Sequence, residues 1–573
     1  MQGADIMPIV MTNTARVYLG ELLVQKGVIT REQLDKALEE QGRTGKLLGV
    51  TLINMGAISD DNVLLPVLAE RIGATFVMLK SIHVSAEVLS RLPAKAVNHY
   101  KVFPTKFENN VLTVAMTNPM DINVIDDLAA VTKGRVSAVL AGEKDILEAI
   151  REHYGLGAET IERMMSDSQM MNLTLAAADS IDEASEEASI SSFLNQILFQ
   201  AHRDKATDIH IEPFGSELRI RYRVDGMLYD ANVPDNIRFF HDALISRIKI
   251  LSNLNIAEKR LPQDGRFKVK VEGANLDLRV SFLPTSFGES CTIRLLSGFR
   301  LYNFAELGFG PDERRLFDQL LNKPHGIVFL TGPTGSGKTT TLYSCLAELN
   351  TGDSKIITVE DPVEYQIKGI LQIQANASIG LSFATALRSI LRNDPDVIMI
   401  GEVRDVETAQ IAIQMALTGH LVFSTLHTND AASGVTRLVD IGIEPYLIAS
   451  SVECFIAQRL VRLLCPNCKK NIPMPQAMKD ELSEQHLASE PFIYEAQGCS
   501  LCRMTGYSGR QAISEFLILN EDLRSMIITR ASSTALKQKA AAAGMKSLRQ
   551  HGWEKVMAGL TSPSEVLRAT QDD

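Results

Sequence analysis

The sequence predicts an α/β protein of several domains, with a nucleotide-binding core on a parallel sheet preceded by two α+β units and a helical repeat. Three observations carry that reading. A glycine-rich octapeptide, Gly332-Pro333-Thr334-Gly335-Ser336-Gly337-Lys338-Thr339, stands between an apolar run and a helix-like segment. From about Gly326 onward, strand-length apolar runs alternate with helical patterns, which places ligand at the C-terminal edge of a parallel sheet. The opening of the chain also repeats itself at an offset of 29 residues.

Length and composition set the frame. A chain of 573 residues calls for roughly three to five domains. Hydrophobic residues at 45% and charged residues at 22% fit a folded chain that is neither disordered nor membrane-embedded. The formal net charge of -11 argues against a broad nucleic-acid footprint. No stretch is long and apolar enough to cross a bilayer. Met1–Thr14 lacks the basic and apolar regions of a signal peptide. The expected location is therefore cytoplasmic, with any membrane contact made through a partner.

In the repeat, Leu19-Gly20-x-x-Leu23 with Gly27 and Ile29 recurs as Leu48-Gly49-x-x-Leu52 with Gly56 and Ile58. Each copy reads as a short helix, a glycine stop, a polar cap (Thr30 or Ser59) and a second helix, making a stacked helical module over residues 1–73. Residues 74–154 change character. Val111–Met116 and Val136–Leu140 read as strands, and Val124–Ala130 and Lys144–Glu152 as helices, a small α+β subdomain. Residues 155–189 are rich in Ala, Ser, Met and acids, the composition of a flexible linker or, in part, of a solvated helix. From Ile190 a helical pattern leads into Asp208–Pro213, and Leu218–Val224, Phe267–Val271 and Leu276–Phe282 alternate as strands. This second α+β domain, 190–300, is rich in arginine. The alternating Arg219, Arg221 and Arg223 read most simply as its solvated face.

The octapeptide matches the phosphate-binding loop pattern in full, and its flanks agree: Ile327–Leu330 is strand-like and Thr340–Leu349 helix-like. Glycines at 332, 335 and 337 let backbone N–H groups turn toward phosphate oxygens, with Pro333, Thr334, Ser336 and Thr340 completing the cradle. Lys338 should reach the β- and γ-phosphates of ATP, and Thr339 should ligate Mg²⁺. A second strand, Val397–Ile400, ends at Gly401-Glu402, where a carboxylate serves magnesium or the attacking water. A third, Ile356–Val359, runs into Glu360-Asp361-Pro362-Val363-Glu364. One of these acids can orient water, and spacing alone does not say which. A fourth, Leu421–Ser424, lies between His420 and His427, residues fit either to sense phosphate or to serve structure.

Seven cysteines are unevenly placed. Cys291, Cys345 and Cys454 are isolated and read as small core residues. Cys465-x-x-Cys468 and Cys499-x-x-Cys502, 30 residues apart, suit a structural Zn²⁺ with all four positions filled by thiolate. A redox pair and an iron–sulfur centre are the alternatives.

Four motifs in this order, the phosphate loop at 332–339, Thr358–Tyr365, Leu391–Glu402 and Thr418–Thr428, closely resemble those of the assembly ATPases of type II secretion and type IV pili, the GspE/PilB family. The resemblance covers about Ile190 to the C-terminus. It implies a RecA-like core over 301–573, with a zinc insert at about 461–510 and a C-terminal helical subdomain at 511–573, preceded by a PAS-like domain over 190–300. It implies Glu364 as catalytic base, Glu402 as the carboxylate after the magnesium-site strand, and His420 and His427 as the paired histidines. It further implies a homohexameric ring in which Arg279 and Arg294 approach a neighbour's nucleotide, since guanidinium groups stabilise charge on a transferring phosphoryl group. The four-cysteine insert accompanies assembly rather than retraction motors. Implied partners are an inner-membrane platform protein and its cytoplasmic adaptor and, indirectly, pilin-like subunits, with no nucleic acid. The place is peripheral to the inner membrane.

The repeat resembles a cyclic-di-GMP-binding module found on some relatives. That module wants an arginine before each Leu-Gly and a glutamine closing each copy. Here Tyr18 and Leu47 precede the pairs, and Gln41 is matched by Glu70 in the second copy. The reading favours docking to the platform over cyclic-di-GMP. Two rival functions remain at this level. A nucleic-acid translocase is disfavoured by the acidic balance, and a nucleotide-gated scaffold by the presence of every expected acid.

Overall fold

A computed structural model describes residues 19–45, 48–58, 61–155, 158, 160–161, 183–271, 273–296, 301–481 and 493–571. The repeat forms four helices, Leu19–Gln25, Arg31–Thr44, Leu48–Asn54 and Asp61–Ile72. Thr30 caps the second through a reciprocal pair with Gln33, as Ser or Thr at this position should. The two repeat glycines allow close packing. A Cβ on Gly20 would lie 2.4 Å from Leu34, and one on Gly49 would lie 2.5 Å from Leu64. Leu23, Leu34, Leu52 and Leu64 close the small core. Tyr18, Leu47 and Ser59 lie outside the described residues.

The next subdomain has strands β1 (Phe103–Glu108), β2 (Val111–Met116) and β3 (Arg135–Leu140) in that order. Helices Ile122–Thr132 and Glu143–Tyr154 accompany them. β1 carries Pro104 and a register shift between Pro104 and Lys106, features that hide a strand from its sequence. The linker expected over 155–189 is shorter. Ile161 is buried in the following core, and a helix already begins at Glu183. Residues 162–182 lie outside the described residues.

The arginine-rich domain is a six-stranded sheet in the order β6-β5-β4-β9-β8-β7. Its strands are β4 (Asp208–Phe214), β5 (Glu217–Val224), β6 (Met227–Asp230), β7 (Gln263–Val271), β8 (Ala274–Thr285) and β9 (Gly288–Leu296). One face packs its apolar alternates, Ile220, Tyr222, Leu278, Val280 and Ile293, with Phe193, Ile197, Leu244 and Ile248 from helices Glu183–Arg203 and His241–Leu251. The period of two puts the arginines on the other face. Under the sheet, Lys249 and Glu289 form a buried ion pair at 2.7 Å, and Lys249 Nζ also donates to the Glu258 carbonyl at 2.8 Å.

The C-terminal unit, from Leu296 with Asp225–Met227, is built on a seven-stranded sheet, β12-β11-β13-β14-β10-β15-β18. The strands are β10 (Gly326–Thr331), β11 (Ile356–Glu360), β12 (Leu371–Gln374), β13 (Val397–Ile400), β14 (Leu421–Leu426), β15 (Val452–Leu464) and β18 (Tyr507–Ile518). Neighbours from β12 to β15 are parallel, and β18 is antiparallel to β15. Separate apolar clusters fill the two faces, which is why these strands read as continuous apolar runs. Residues 511–518, expected to open a helical subdomain, instead complete this sheet, and the C-terminal helices begin at Glu521. The expected insert also starts later than 461, because β15 runs on to Leu464. Inside the insert, β16 (Lys470–Ile472) pairs with β17 (Ile493–Glu495), and its apolar side packs on Trp553, Val556 and Val566.

Candidate active site and cysteine cluster

β10 is wholly buried and ends at Thr331. The chain then turns through Gly332 into the helix Lys338–Leu349, with Gly337 at φ 87° in the left-handed region at its N-cap, a conformation that favours glycine. Space imposes the same choice. A Cβ on Gly332 would sit 2.5 Å from the Gln458 carbonyl oxygen, and one on Gly337 would sit 2.8 Å from Gln458 Nε2. Lys338, only 8% exposed, curls over the loop and donates to the carbonyls of Gly332 at 2.7 Å and Pro333 at 3.1 Å. Burial pushes its ammonium down to about 8, with Glu402 opposing that shift and Arg459 adding to it. Ser336 Oγ is buried with no hydrogen-bond partner, a polar group that a phosphate oxygen would satisfy. Thr339 is exposed and Thr340 half-buried in the first helical turn, where a triphosphate and its Mg²⁺ would lie.

The neighbouring strands deliver their polar groups to the same edge. Beyond β13, Glu402 is held between His427 Nε2 at 3.1 Å and Arg404 Nη2 at 2.5 Å. The hydroxyls of Ser424 and Thr425 donate to the carbonyls of Ile400 and Gly401, fixing the segment that carries Glu402. Beyond β11 the acids divide their tasks. Glu360 is buried and accepts from Thr358 Oγ1 at 2.6 Å, Gln372 Nε2 at 3.2 Å and the Tyr343 hydroxyl. It is a structural anchor for the helix that follows the phosphate loop. Glu364 is half-buried, and its backbone N–H donates to Tyr343 Oη at 3.4 Å. The structure therefore brings together the phosphate loop, Lys338, Glu402 and His427, with Glu364 on the loop tied to the same helix.

His420 is not brought there. It precedes β14 at the opposite edge of the sheet, where its carbonyl accepts from Gly326 N–H at the start of β10 and its Nδ1 meets the Met415 carbonyl at 2.8 Å. The five strand steps from Gly326 to Thr331 separate it from the phosphate loop by about 17 Å. Its contacts are those of a helix-to-strand corner.

Arg279 and Arg294 belong to the first unit, on the polar face of the six-stranded sheet. Arg279 is half-buried opposite Arg266 in the β7–β8 register. Arg294 is 60% exposed, and its Nε donates to buried Asp208 at 2.8 Å.

Sequence reasoning missed Gln458. Buried on β15, it donates from Nε2 to the Ser336 carbonyl at 2.9 Å and accepts at Oε1 from Thr341 Oγ1 at 2.9 Å. It thus braces the phosphate loop from the side of a strand whose apolar pattern gave no sign of it.

The four cysteines converge as expected. Their sulfur atoms all lie within 4.8 Å of one another, with 3.9 Å between Cys465 and Cys499, 3.7 Å between Cys468 and Cys502, and 3.6 Å between Cys499 and Cys502. A tetrahedron with metal–sulfur bonds of about 2.3 Å has edges of about 3.8 Å, so the cluster fits Zn²⁺. Backbone N–H groups of Cys499 and Gly506 point at Cys502 Sγ at 3.1 and 3.2 Å, the donor pattern that stabilises thiolate.

Comparison with known proteins agrees. Residues 183–568 match the family described as "Type II/IV secretion system protein". Residues 72–160 match the MshEN domain, which places that likeness on the α+β subdomain after the helical repeat. The chain is 42% identical to the type IV pilus assembly ATPase PilB of Myxococcus xanthus, over 97% of this chain and 99% of that protein. It is 41% identical to the type II secretion system protein E of Xanthomonas campestris pv. campestris, over 98% and 99%. The solved ATPase DotB of Legionella pneumophila superposes with a TM-score of 0.50 at 23% identity, covering 67% of this chain and 96% of that one, a likeness of fold. With the phosphate loop, the Glu402 edge and the four-cysteine cluster in place, the chain belongs to the type II secretion and type IV pilus assembly ATPases, the GspE/PilB family of P-loop motors.

Proposed function

We propose that the chain works as a homohexameric ring that hydrolyses ATP and passes the resulting domain motion to an inner-membrane platform protein and its cytoplasmic adaptor, adding pilin-like subunits to a fibre. The observation that carries this reading is the convergence of the phosphate loop, Lys338, Glu402 and His427 on one edge of a RecA-like sheet. ATP lies along the loop, and Thr339 would hold the Mg²⁺ that offsets the charge of its phosphates. Glu364 orients or deprotonates the attacking water, and Glu402 would help to hold the Mg²⁺. Arg279 and Arg294 reach this site from the PAS-like domain of an adjacent subunit and neutralise charge developing on the γ-phosphoryl group. Arg294, on a well-exposed side chain fixed at its Nε by Asp208, suits that task.

Zn²⁺ held by Cys465, Cys468, Cys499 and Cys502 supplies structure alone, because four thiolates leave no open position. The helical repeat serves docking to the platform rather than cyclic-di-GMP. Glu70, which pairs with Lys26, puts an acid where that module uses a glutamine. Attachment at the inner membrane, from the cytoplasmic side, comes through these partners; among the described residues no helix is long and apolar enough to span a membrane.

The test is complementation. Lys338→Ala and Arg294→Ala should each be inactive alone. Mixed and reassembled, they form some interfaces with both groups intact, so ATPase activity returns. A mixture as inactive as its components would sink the arrangement between subunits.

A further inference from the structure

Four adjacent strands, in the order β13-β14-β10-β15, end at the nucleotide edge. Three supply groups already described: Glu402, His427 and the phosphate loop. The fourth supplies Arg459. β15 runs parallel to β10 with Ala457 opposite Thr331, so two residues on, Arg459 is level with the first turn of the phosphate loop. Successive side chains on a strand face opposite ways. Gln458 faces the helix behind the loop, and Arg459 faces the other side. There its Nη2 donates to the Asn429 carbonyl at 3.0 Å and to Asn429 Oδ1 at 3.3 Å. Asn429 follows the end of β14, and β14 and β15 flank β10 on its two sides. A guanidinium that starts on β15 and reaches Asn429 therefore crosses the end of β10, where the phosphate loop begins. Its charge is felt by Lys338 beside it, acting against the ammonium in the same direction as burial. Glu402, the nearby acid, is already paired with Arg404 and His427. The mouth thus gathers two cations over one loop, an arrangement suited to a polyanion.

We propose that Arg459 is a further catalytic residue acting in cis, its guanidinium binding the γ-phosphate of ATP held by the same subunit, with Asn429 as its tether. The inference rests on the phosphate loop being the ATP site. It is independent of the arginines supplied by a neighbour. A planar guanidinium can meet two phosphate oxygens at once, and the γ-phosphate is the part of ATP that ADP lacks. Arg459 therefore reports which nucleotide is bound, and it stabilises charge on the γ-phosphoryl group as that group passes from ADP, the leaving group, to water.

The experiment measures binding of ADP and of a non-hydrolysable ATP analogue, together with kcat, for the full chain and for Arg459→Gln and Arg459→Lys, with Lys338→Ala in parallel. The expected result for Arg459→Gln is a loss of analogue affinity of about 10- to 100-fold, the weight of one charge-assisted pair. ADP affinity stays within about twofold and kcat falls at least as far as analogue affinity. Arg459→Lys keeps the charge and the stem without the fork, and it recovers part of both losses. Equal loss of ADP and analogue binding in both variants would mean that Arg459 only supports the loop, and unchanged binding and turnover would mean it does nothing there. Either result overturns the proposal. A wild-type chain that binds neither nucleotide overturns the ATP-site reading itself, whereas loss of both nucleotides in Lys338→Ala alone upholds that reading while Arg459 is judged separately.

Discussion

Replacing Gln458 by leucine isolates what the brace behind the phosphate loop is worth. The side chains are similar in size, so the change removes hydrogen bonds with little change of volume. Two are lost, Nε2 to the Ser336 carbonyl and Oε1 from Thr341 Oγ1, both at 2.9 Å and both buried. Each contributes about 1 kcal/mol net, and each abandoned partner costs about 1–3 kcal/mol more if water cannot reach it. Ser336 already carries a buried unpartnered hydroxyl, so its carbonyl has little local relief. The sum is about 4–8 kcal/mol where water reaches neither partner, at or beyond the upper range for a single substitution. Part of it falls on the fold and part on the loop geometry. If about 1.5–2.5 kcal/mol is felt as loop disorder, affinity for nucleotide drops by about 10- to 60-fold. Because the brace acts on the β-phosphate cradle, ADP and ATP analogue should weaken together, unlike the split expected for Arg459. Calorimetric titration of both nucleotides, with a denaturation curve for each protein, reads the two parts. Reduced stability with unchanged nucleotide affinity would refute the argument that Gln458 shapes the loop.

Two further outcomes follow from the same packing. Cys468→Ser, or chelation of the wild type, should release about one Zn²⁺ per chain by elemental analysis and lower the stability of the insert and the Trp553 helix packed on it. Tryptophan emission reports this directly, since Trp553 is the single tryptophan. Glu565 is buried, and burial alone would raise its pKa, but hydrogen bonds from Arg568, the Arg462 guanidinium and the Arg462 backbone N–H outweigh burial and bring it to about 2. A depressed carboxylate stabilises the fold above its ordinary pKa near 4.5 and loses that contribution as pH falls toward 2. Glu565→Gln should therefore be less stable than wild type by about 2–4 kcal/mol at pH 7, and the gap should narrow steadily below pH 4.5 in urea melts. A gap independent of pH would show that the ion pairs are not its source.

The nucleotide site was largely legible because its chemistry is local. A phosphate loop needs its glycines, lysine and hydroxyls within eight consecutive positions, and its strand and helix flank it directly. The cysteine cluster was legible for the same reason, two short knuckles each with a fixed internal spacing. What stayed hidden depends on tertiary register. β15, Val-Glu-Cys-Phe-Ile-Ala-Gln-Arg-Leu-Val-Arg-Leu-Leu, is buried on both faces for much of its length and lacks the alternation that marks a half-exposed strand. Gln458 and Arg459 were invisible as site residues because nothing in the strand's own pattern says it runs beside the phosphate loop. His420 failed in the opposite way. It brackets a strand as neatly as His427 does, but a six-residue strand separates its two ends by most of a sheet's width, and only the C-terminal end meets nucleotide. The acids of 360–364 could not be divided by spacing. Burial of Glu360 among three donors marks it as an anchor and leaves Asp361 and Glu364 as the acids open to water, of which the proposed mechanism uses Glu364.

The most direct test of the whole account compares ATP binding and turnover in the wild type, Lys338→Ala and Glu364→Gln. The account predicts that Lys338→Ala loses both. Glu364→Gln should still bind ATP while turnover falls by about 10²- to 10⁴-fold, the weight of a positioned base. ATP hydrolysis persisting in Lys338→Ala, or a Glu364→Gln chain that turns over at the wild-type rate, would contradict it.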